Sequence, residues 1–270
     1  VRPAELYCND HVAPTVQTLT AVEEAELASF HQLGFLAVRE AFPADAISGA
    51  LAAIDDLIHG SSPAFRGISF EPGSGPSDQL PPHERHLHVR KLMSFVDHDE
   101  RLLALSADPA LLDVVSRLMD SATPEMFQDM ALLKPPGGSE KPWHQDMAYF
   151  NVPIDTTVVG VWIALDEATT ANGALHLLPG SHQRGPRFHF KRRDWQICDS
   201  EAPRGTDVIV PLPPGGALFW HGLTQHGSPK NESQTQRRAL QFHYRPASVR
   251  MTTTEERMQH FGGEIRGAEC

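Results

Sequence analysis

Apolar positions along the chain change their period partway through. In the first part they recur at helical spacing. Leu27, Phe30 and Leu33 make one such stripe, with Thr20 and Glu23 spelling a capping box before it and Gly34 a stop after it. Pro43 opens a second helix with Ile47, Leu51, Ile54 and Ile58 on one face, ended by Gly60. A third follows Asp108-Pro109, with Leu111, Val115 and Leu118 as its buried stripe. Between the second and third lies a stretch, residues 61–86, rich in Ser, Pro and Gly, including Gly67, Gly73, Gly75, Pro72 and Pro76. Its composition predicts a long surface loop without regular elements, a candidate lid over a pocket entrance.

From about residue 125 the pattern becomes strand-like. Val158–Leu165, Ala174–Leu178, Asp207–Leu212, Ala217–Trp220 and Arg238–Tyr244 are short β-type runs. Asn172-Gly173, Pro179-Gly180 and Pro213-Pro214-Gly215-Gly216 punctuate them with turn chemistry. Strands this short and regular predict a mainly β sandwich or jelly roll with helices flanking it on the N-terminal side. No internal repeat and no linker divides the chain.

Composition narrows the function classes. The 270 residues are 40% hydrophobic and carry a formal net charge of −11. That balance argues against nucleic acid or an anionic membrane as partner. No apolar run reaches bilayer length, and no leader-like start is visible. Cys8, Cys198 and Cys270 are too few and too scattered for a disulfide framework. A reducing cytoplasm is the default expectation.

The chemistry concentrates in a few positions. His144 and Asp146 are two apart, so on a strand both point to one face while Gln145 points away. Two histidines and a carboxylate are the set that holds non-haem Fe(II) and leaves the opposite positions open. HxD alone is a weak signal in a chain with 15 histidines. The third ligand must come from His176, His182, His221, His226 or His243, and His226 is favoured because Gly227-Ser228 follow it and Arg237 lies eleven residues on. Strand alternation lets only one of Arg237 and Arg238 point inward, where a guanidinium can grip a carboxylate in two-pronged fashion. Arg184, Arg187, Lys191, Arg192 and Arg193 form a local basic run, either a docking patch for an anionic substrate or a solvated loop. Tyr149, Phe150, Trp195 and His243 are candidate pocket walls.

Five motifs in order carry a resemblance. Trp143-His144-Gln145-Asp146, Trp162-Ile163-Ala164-Leu165-Asp166, Asn172-Gly173-Ala174-Leu175-His176, Pro179-Gly180-Ser181-His182, and His226-Gly227-Ser228 with Asn231 and Arg237 resemble the phytanoyl-CoA dioxygenase family over roughly residues 85–245. The resemblance implies a double-stranded β-helix (jelly-roll, cupin-like) core over about 125–250, preceded by a helical part over about 15–120, together one oxygenase domain. It implies Fe(II) on His144, Asp146 and His226, with 2-oxoglutarate and O2 as cosubstrates. It implies Arg237 as the anchor of the 2-oxoglutarate carboxylate with Ser228 as a supporting donor, Trp162 and Lys91 beside the cosubstrate, and Gln128 in the pocket.

The reaction so implied is hydroxylation of a small molecule's unactivated C–H bond, with release of succinate and CO2. Related halogenases replace the metal's carboxylate with a small residue, so Asp146 favours hydroxylation, although desaturation and ring closure use the same ligands. Two other classes fit the ligand set: a cupin-like metal-binding protein without turnover, for which Arg237 has no use, and a zinc hydrolase, which needs a general base beside the metal.

Overall fold

A computed structural model describes residues 3–71, 73, 81 and 84–263. In chain order its elements are β1 (Thr15–Thr18), α1 (Glu24–Leu33), β2 (Phe35–Glu40), α2 (Ala44–Ile58), β3 (Ile68–Phe70), α3 (Arg85–His88), β4 (Val89–Met93), α4 (Glu100–Ser106) and α5 (Pro109–Leu118). The strand-rich part follows: β5 (Pro124–Lys134), β6 (Lys141–His144), β7 (Val159–Ala164), β8 (Leu175–Leu177), β9 (His189–Lys191), β10 (Trp195–Ile197), β11 (Val208–Val210), β12 (Ala217–His221), β13 (His226–Ser228), β14 (Arg237–Pro246) and, last, α6 (Thr254–Phe261).

The strands form an eight-stranded sheet in the order β1-β2-β12-β7-β14-β5-β4-β3, a four-stranded sheet in the order β11-β8-β13-β6, and the hairpin β9-β10. Among the described strands, β1 and β2 are the one parallel pair. Alternation along the strands sorts side chains between two cores. On β7, Val159, Val161 and Ile163 join Leu240 and Phe242 of β14 against the helices, packed with Phe30, Ile54, Leu57, Leu111 and Val115. From the opposite face Trp162, Ala164, Leu218, Trp220 and Ala239 meet Leu175, Leu177, Ile209 and Val210 of the smaller sheet. Two sheets face one another across this second core, as the jelly-roll expectation requires. Among the described residues no helix is long and apolar enough to cross a membrane.

Several local expectations need correction. The cap of α1 is Glu23, paired reciprocally with Glu26, rather than Thr20 with Glu23; residues 19–21 form their own short 3-10 turn. Gly34 ends α1 as expected, in the left-handed region at φ 84°. Residues 61–86 are not without regular structure, because β3 adds to the edge of the large sheet through Ile68↔Leu92 and Ser69↔Lys91, and α3 begins at Arg85. Pro72, residues 74–80 and residues 82–83 lie outside the described residues, and with them the middle of the segment on which the lid was expected. The helix expected after Asp108-Pro109 is α5, and the Asp108 carboxylate caps it by accepting from the amides of Ala110 and Leu111.

Candidate functional site

His144 ends β6 and His226 begins β13, and the two are register partners on adjacent antiparallel strands. Both side chains therefore leave the sheet on the same face, with ring centroids 4.2 Å apart. Each ring is aimed by the main chain two residues earlier: His144 Nδ1 donates to Pro142 O at 2.8 Å and His226 Nδ1 to Thr224 O at 3.0 Å. That leaves both Nε2 lone pairs facing inward.

Asp146 does not sit on a strand, as simple alternation predicts. It opens a 3-10 turn over Asp146–Tyr149, directly after the extended Gln145. The outcome is still convergence. Asp146 Oδ1 is 3.3 Å from His144 Nε2, Oδ2 is 3.7 Å from His226 Nε2, and the three residues form a metal-competent group of buried ligands. Burial pushes the Asp146 carboxyl up, but His226 and His243 outweigh it and hold it well below the usual carboxylate range. Burial, then the neighbouring His144, lowers His226 to about 3. A buried carboxylate held low, beside a His226 ring whose protonation burial disfavours, is the state that receives a divalent cation.

Gln145 points away, as alternation demands. Its amide donates to Gly185 O and Leu223 O and accepts from Arg187 N, lacing the ligand loop to two others. The competing histidines fall elsewhere. His176 is bonded to Asp207 at 2.7 Å. His221 Nδ1 accepts from Leu223 N, and burial with His182 nearby lowers it to about 4. His182 leans on His31 O. His243 touches the site differently: its Nε2 lies 2.9 Å from Asp146 Oδ2.

The triad opens into a cavity of about 490 Å³ between the sheets. Arg237, Trp162, Lys91, Gln128, Ser228, Tyr149 and Phe150 all line it. Of the paired arginines, Arg238 turns outward and binds Asp166 through two hydrogen bonds. Arg237 turns inward, 3% exposed, with its guanidinium 5.3 Å from the Trp162 ring centre. Among the described residues no carboxylate pairs with it, and its Nε has no partner. Burial lowers it to about 10, and Asp166 only partly offsets that. Trp162 Nε1 is likewise buried without a partner.

Lys134 was not apparent from the sequence. It faces Arg237 across the β5–β14 ladder and is buried at 6% exposure. Its ammonium reaches Ser228 Oγ and Pro229 O, each at 2.5 Å. Burial first and Arg237 second push Lys134 well below its ordinary value. The strand register was the missing signal, since two side chains opposite one another share a face. The Ser228 hydroxyl donates to Gly173 O while accepting from Lys134. Its proton is thus already engaged, which runs against the expectation of a donor to the cosubstrate. Asn231 staples the loop ahead of Arg237 by donating to Lys134 O, Pro135 O and Thr235 O.

Lys91 reaches the cavity from β4; burial, then Lys141, lowers its pKa. The basic run after residue 183 is largely neutralised: Arg187 pairs with Glu201, Arg192 with Asp199, and Arg193 with Asp199 and Glu140. Arg193 lines the cavity. Trp195 stacks on His189 and accepts the Tyr149 hydroxyl at its carbonyl.

Comparison with known proteins extends these observations. The family model described as phytanoyl-CoA dioxygenase (PhyH) matches residues 30–239. A probable phytanoyl-CoA dioxygenase of Caenorhabditis elegans is 29% identical over 173 residues, covering 58% of this chain and 54% of that protein. A phytanoyl-CoA dioxygenase domain-containing protein 1 of Danio rerio is 31% identical over 138 residues, covering 48% and 47%. The chain thus spans about half the length of the curated relatives it matches. Among solved structures, EvdO2 of Micromonospora carbonacea var. aurantiaca complexed with 2-oxoglutarate superposes with a TM-score of 0.70 at 24% identity, covering 90% of this chain and 98% of that one. EctD of S. alaskensis gives 0.68 at 22% identity, covering 94% and 85%. These likenesses establish the cupin-like double-stranded β-helix fold.

Proposed function

This chain belongs to the phytanoyl-CoA dioxygenase family, and from that premise we propose that it is an Fe(II)- and 2-oxoglutarate-dependent oxygenase hydroxylating a C–H bond of a small molecule. The observation that carries the proposal is Arg237: a buried guanidinium without a carboxylate partner among the described residues, lining the same cavity as the His-Asp-His group. A buried charge is costly unless paired. A ligand carboxylate supplies the missing partner, and a metal supplies a reason for the ligand's other end to sit nearby.

The residues present fit both groups. His144, Asp146 and His226 offer two nitrogens and an oxygen, a donor set suited to ferrous iron. Arg237, backed by Trp162 and Lys134, would hold the far carboxylate of 2-oxoglutarate, and Ser228 would shape that end through Lys134. Lys91 and Gln128 would bound the cosubstrate and substrate space. When bound, iron and 2-oxoglutarate together supply the oxidising equivalent from O2, with succinate and CO2 released. The chain's own part is to orient the substrate against the metal face and to keep the Arg237 end dry, where a charge-assisted hydrogen bond is strongest.

The test is succinate release from 2-oxoglutarate with Fe(II) and O2, followed by a metabolite panel screened for an oxygen-dependent gain in mass. Metal binding without succinate would leave a cupin-like binding protein. Anaerobic turnover with zinc would leave a hydrolase.

A further inference from the structure

Asp146 has two carboxylate oxygens, and their surroundings differ. Oδ2 accepts from Trp220 Nε1 at 2.8 Å and stands 2.9 Å from His243 Nε2. An indole N–H can only donate, so the Trp220 bond has one direction. A carboxylate oxygen accepts, so the His243 contact is a donation from Nε2. The His243 Nδ1 is buried without a partner among the described residues, and the rings of Phe150 and Phe127 pack on the imidazole with centroids 4.8 and 6.2 Å away. Trp220 and His243 both come from the large sheet, on β12 and β14, and are 1% and 0% exposed. Neither can swing away without disturbing the core.

A second feature fixes Trp220. Its ring lies flat against Gly160 of β7, so close that a Cβ there would sit 2.5 Å from Trp220 Cε2 and 2.9 Å from its Nε1. The strand gives up a side chain at the place where the indole must reach Asp146.

We infer that Trp220 and His243 are positioning residues that restrict Asp146 to one coordinating oxygen, Oδ1, and so keep free the metal position that a second carboxylate contact would fill. Oδ2 has its hydrogen-bonding capacity engaged before any metal arrives, whereas Oδ1 faces His144 Nε2. Two-oxygen coordination would require breaking both donors' bonds. The open position is the one the 2-oxoglutarate reading requires, so this inference rests on that reading and refines it.

The experiment uses Co(II) as a spectroscopic stand-in. Crystal structures and absorption spectra of the Co(II)-loaded protein are compared for wild type, Trp220→Phe, His243→Phe, the double variant and His243→Gln. Wild type should bind Co(II) through Asp146 Oδ1 alone. The double variant should rotate the carboxylate into two-oxygen contact, with the weaker visible absorption of a higher coordination number. In the Phe variants 2-oxoglutarate should bind the Co(II) protein about tenfold more weakly or worse, while Co(II) affinity should fall less than cosubstrate affinity does, because the second carboxylate contact offsets the lost support. His243→Gln, which keeps an N–H close to the Nε2 position, should recover the wild-type spectrum and cosubstrate affinity; a purely structural role gives no such rescue. If the double variant fails to fold, Gly160→Ala and the His243 pair carry the same comparison, because the added methyl displaces the indole. Two-oxygen coordination in wild type, or an unchanged carboxylate in the Phe variants, overturns the inference. A wild type that shows one-oxygen coordination but no 2-oxoglutarate binding overturns the proposed function instead.

Discussion

The two sheets that enclose the site are built on different principles. The large sheet owes its order to length: β5 and β14 span 11 and 10 residues and pair from Arg237↔Lys134 to Pro246↔Pro124, with one register shift between His243 and Tyr244. It is buried on both faces where it matters, so β7 has no exposed residue at all. The small sheet has strands of three or four residues and a register shift between His226 and Ser228. So few ladder bonds cannot hold it, and other contacts do: Tyr7 stacked on Trp143 at 5.6 Å, the Trp143 indole on Leu6 O, and Gln145 across its loops. The histidine ligands ride on the weak sheet, while the cations and the Asp146 restraints ride on the strong one. The difference teaches that an anion clamp needs a rigid ladder, whereas a metal can itself close a frame that the chain only half assembles.

The largest effect should come from the frame's own ligands. His144→Ala or His226→Ala should abolish divalent metal binding by calorimetric titration while the circular dichroism of the large sheet stays near wild type. Joint loss of metal binding and sheet signal would show that the two sheets are not separable in this way.

Next come the adjacent arginines. Arg237→Ala should weaken 2-oxoglutarate binding about tenfold to a hundredfold, since hydrogen bonds to charged groups contribute about 1.5–3 kcal/mol, and should leave metal affinity intact. Arg238→Ala removes only a part-exposed pair with Asp166 and should cost at most about 1 kcal/mol of stability, with cosubstrate affinity unchanged. Reversed results would mean that the β14 side chains face the other way in solution.

Acid should act first through two histidines outside the small sheet, His189 of the β9–β10 hairpin and His221 at the end of β12 in the large sheet. Burial drops His189 to about 3 and His221 to about 4, both below an unfolded value of about 6.5. The unfolded chain therefore takes up protons first, so the stability these groups contribute is complete above about pH 6.5 and is lost as pH falls toward their folded values. Each should contribute a loss on the order of 2 kcal/mol between about pH 6.5 and 5, read from urea unfolding of the metal-free protein. His189 Nε2 accepts from the Gln145 backbone N–H, so His189→Gln keeps an acceptor and should flatten that slope; an unaltered slope would locate the acid sensitivity elsewhere.

The last test concerns the N-terminal strap. A Cβ at Gly227 would lie 2.8 Å from the Tyr7 hydroxyl. Gly227→Ala should cost about 1–3 kcal/mol by overpacking and loosen metal binding through its neighbour His226. Equal unfolding midpoints for the variant and wild type would show that the strap yields freely.

Much of this was legible in the chain. Helical period marked α1, α2 and α5, because each buries a single face against the sheet. HxD, the distal histidine and Arg237 marked the site, because metal and carboxylate chemistry restrict the residue types. Other features depend on strand register, which local pattern does not carry. Lys134 matters because it lies opposite Arg237, and His243 because it lies on the Arg237 face of β14, six residues along, where Asp146 arrives. The cap of α1 was misplaced because Glu23 and Glu26 fill the roles that Thr20 and Glu23 spell in sequence. The turn at Asp146 was hidden because an extended Gln145 before a 3-10 turn reads like more strand.

The rings of His144 and His226 take their orientation from the carbonyls of Pro142 and Thr224, groups every amino acid possesses. Which nitrogen faces the metal is consequently a property of the chain's path. Substitution at 142 or 224 can alter shape and packing, but it cannot delete the acceptor. The surrounding pocket is therefore free to diversify toward new substrates while the protonation pattern of its ligands is inherited unchanged.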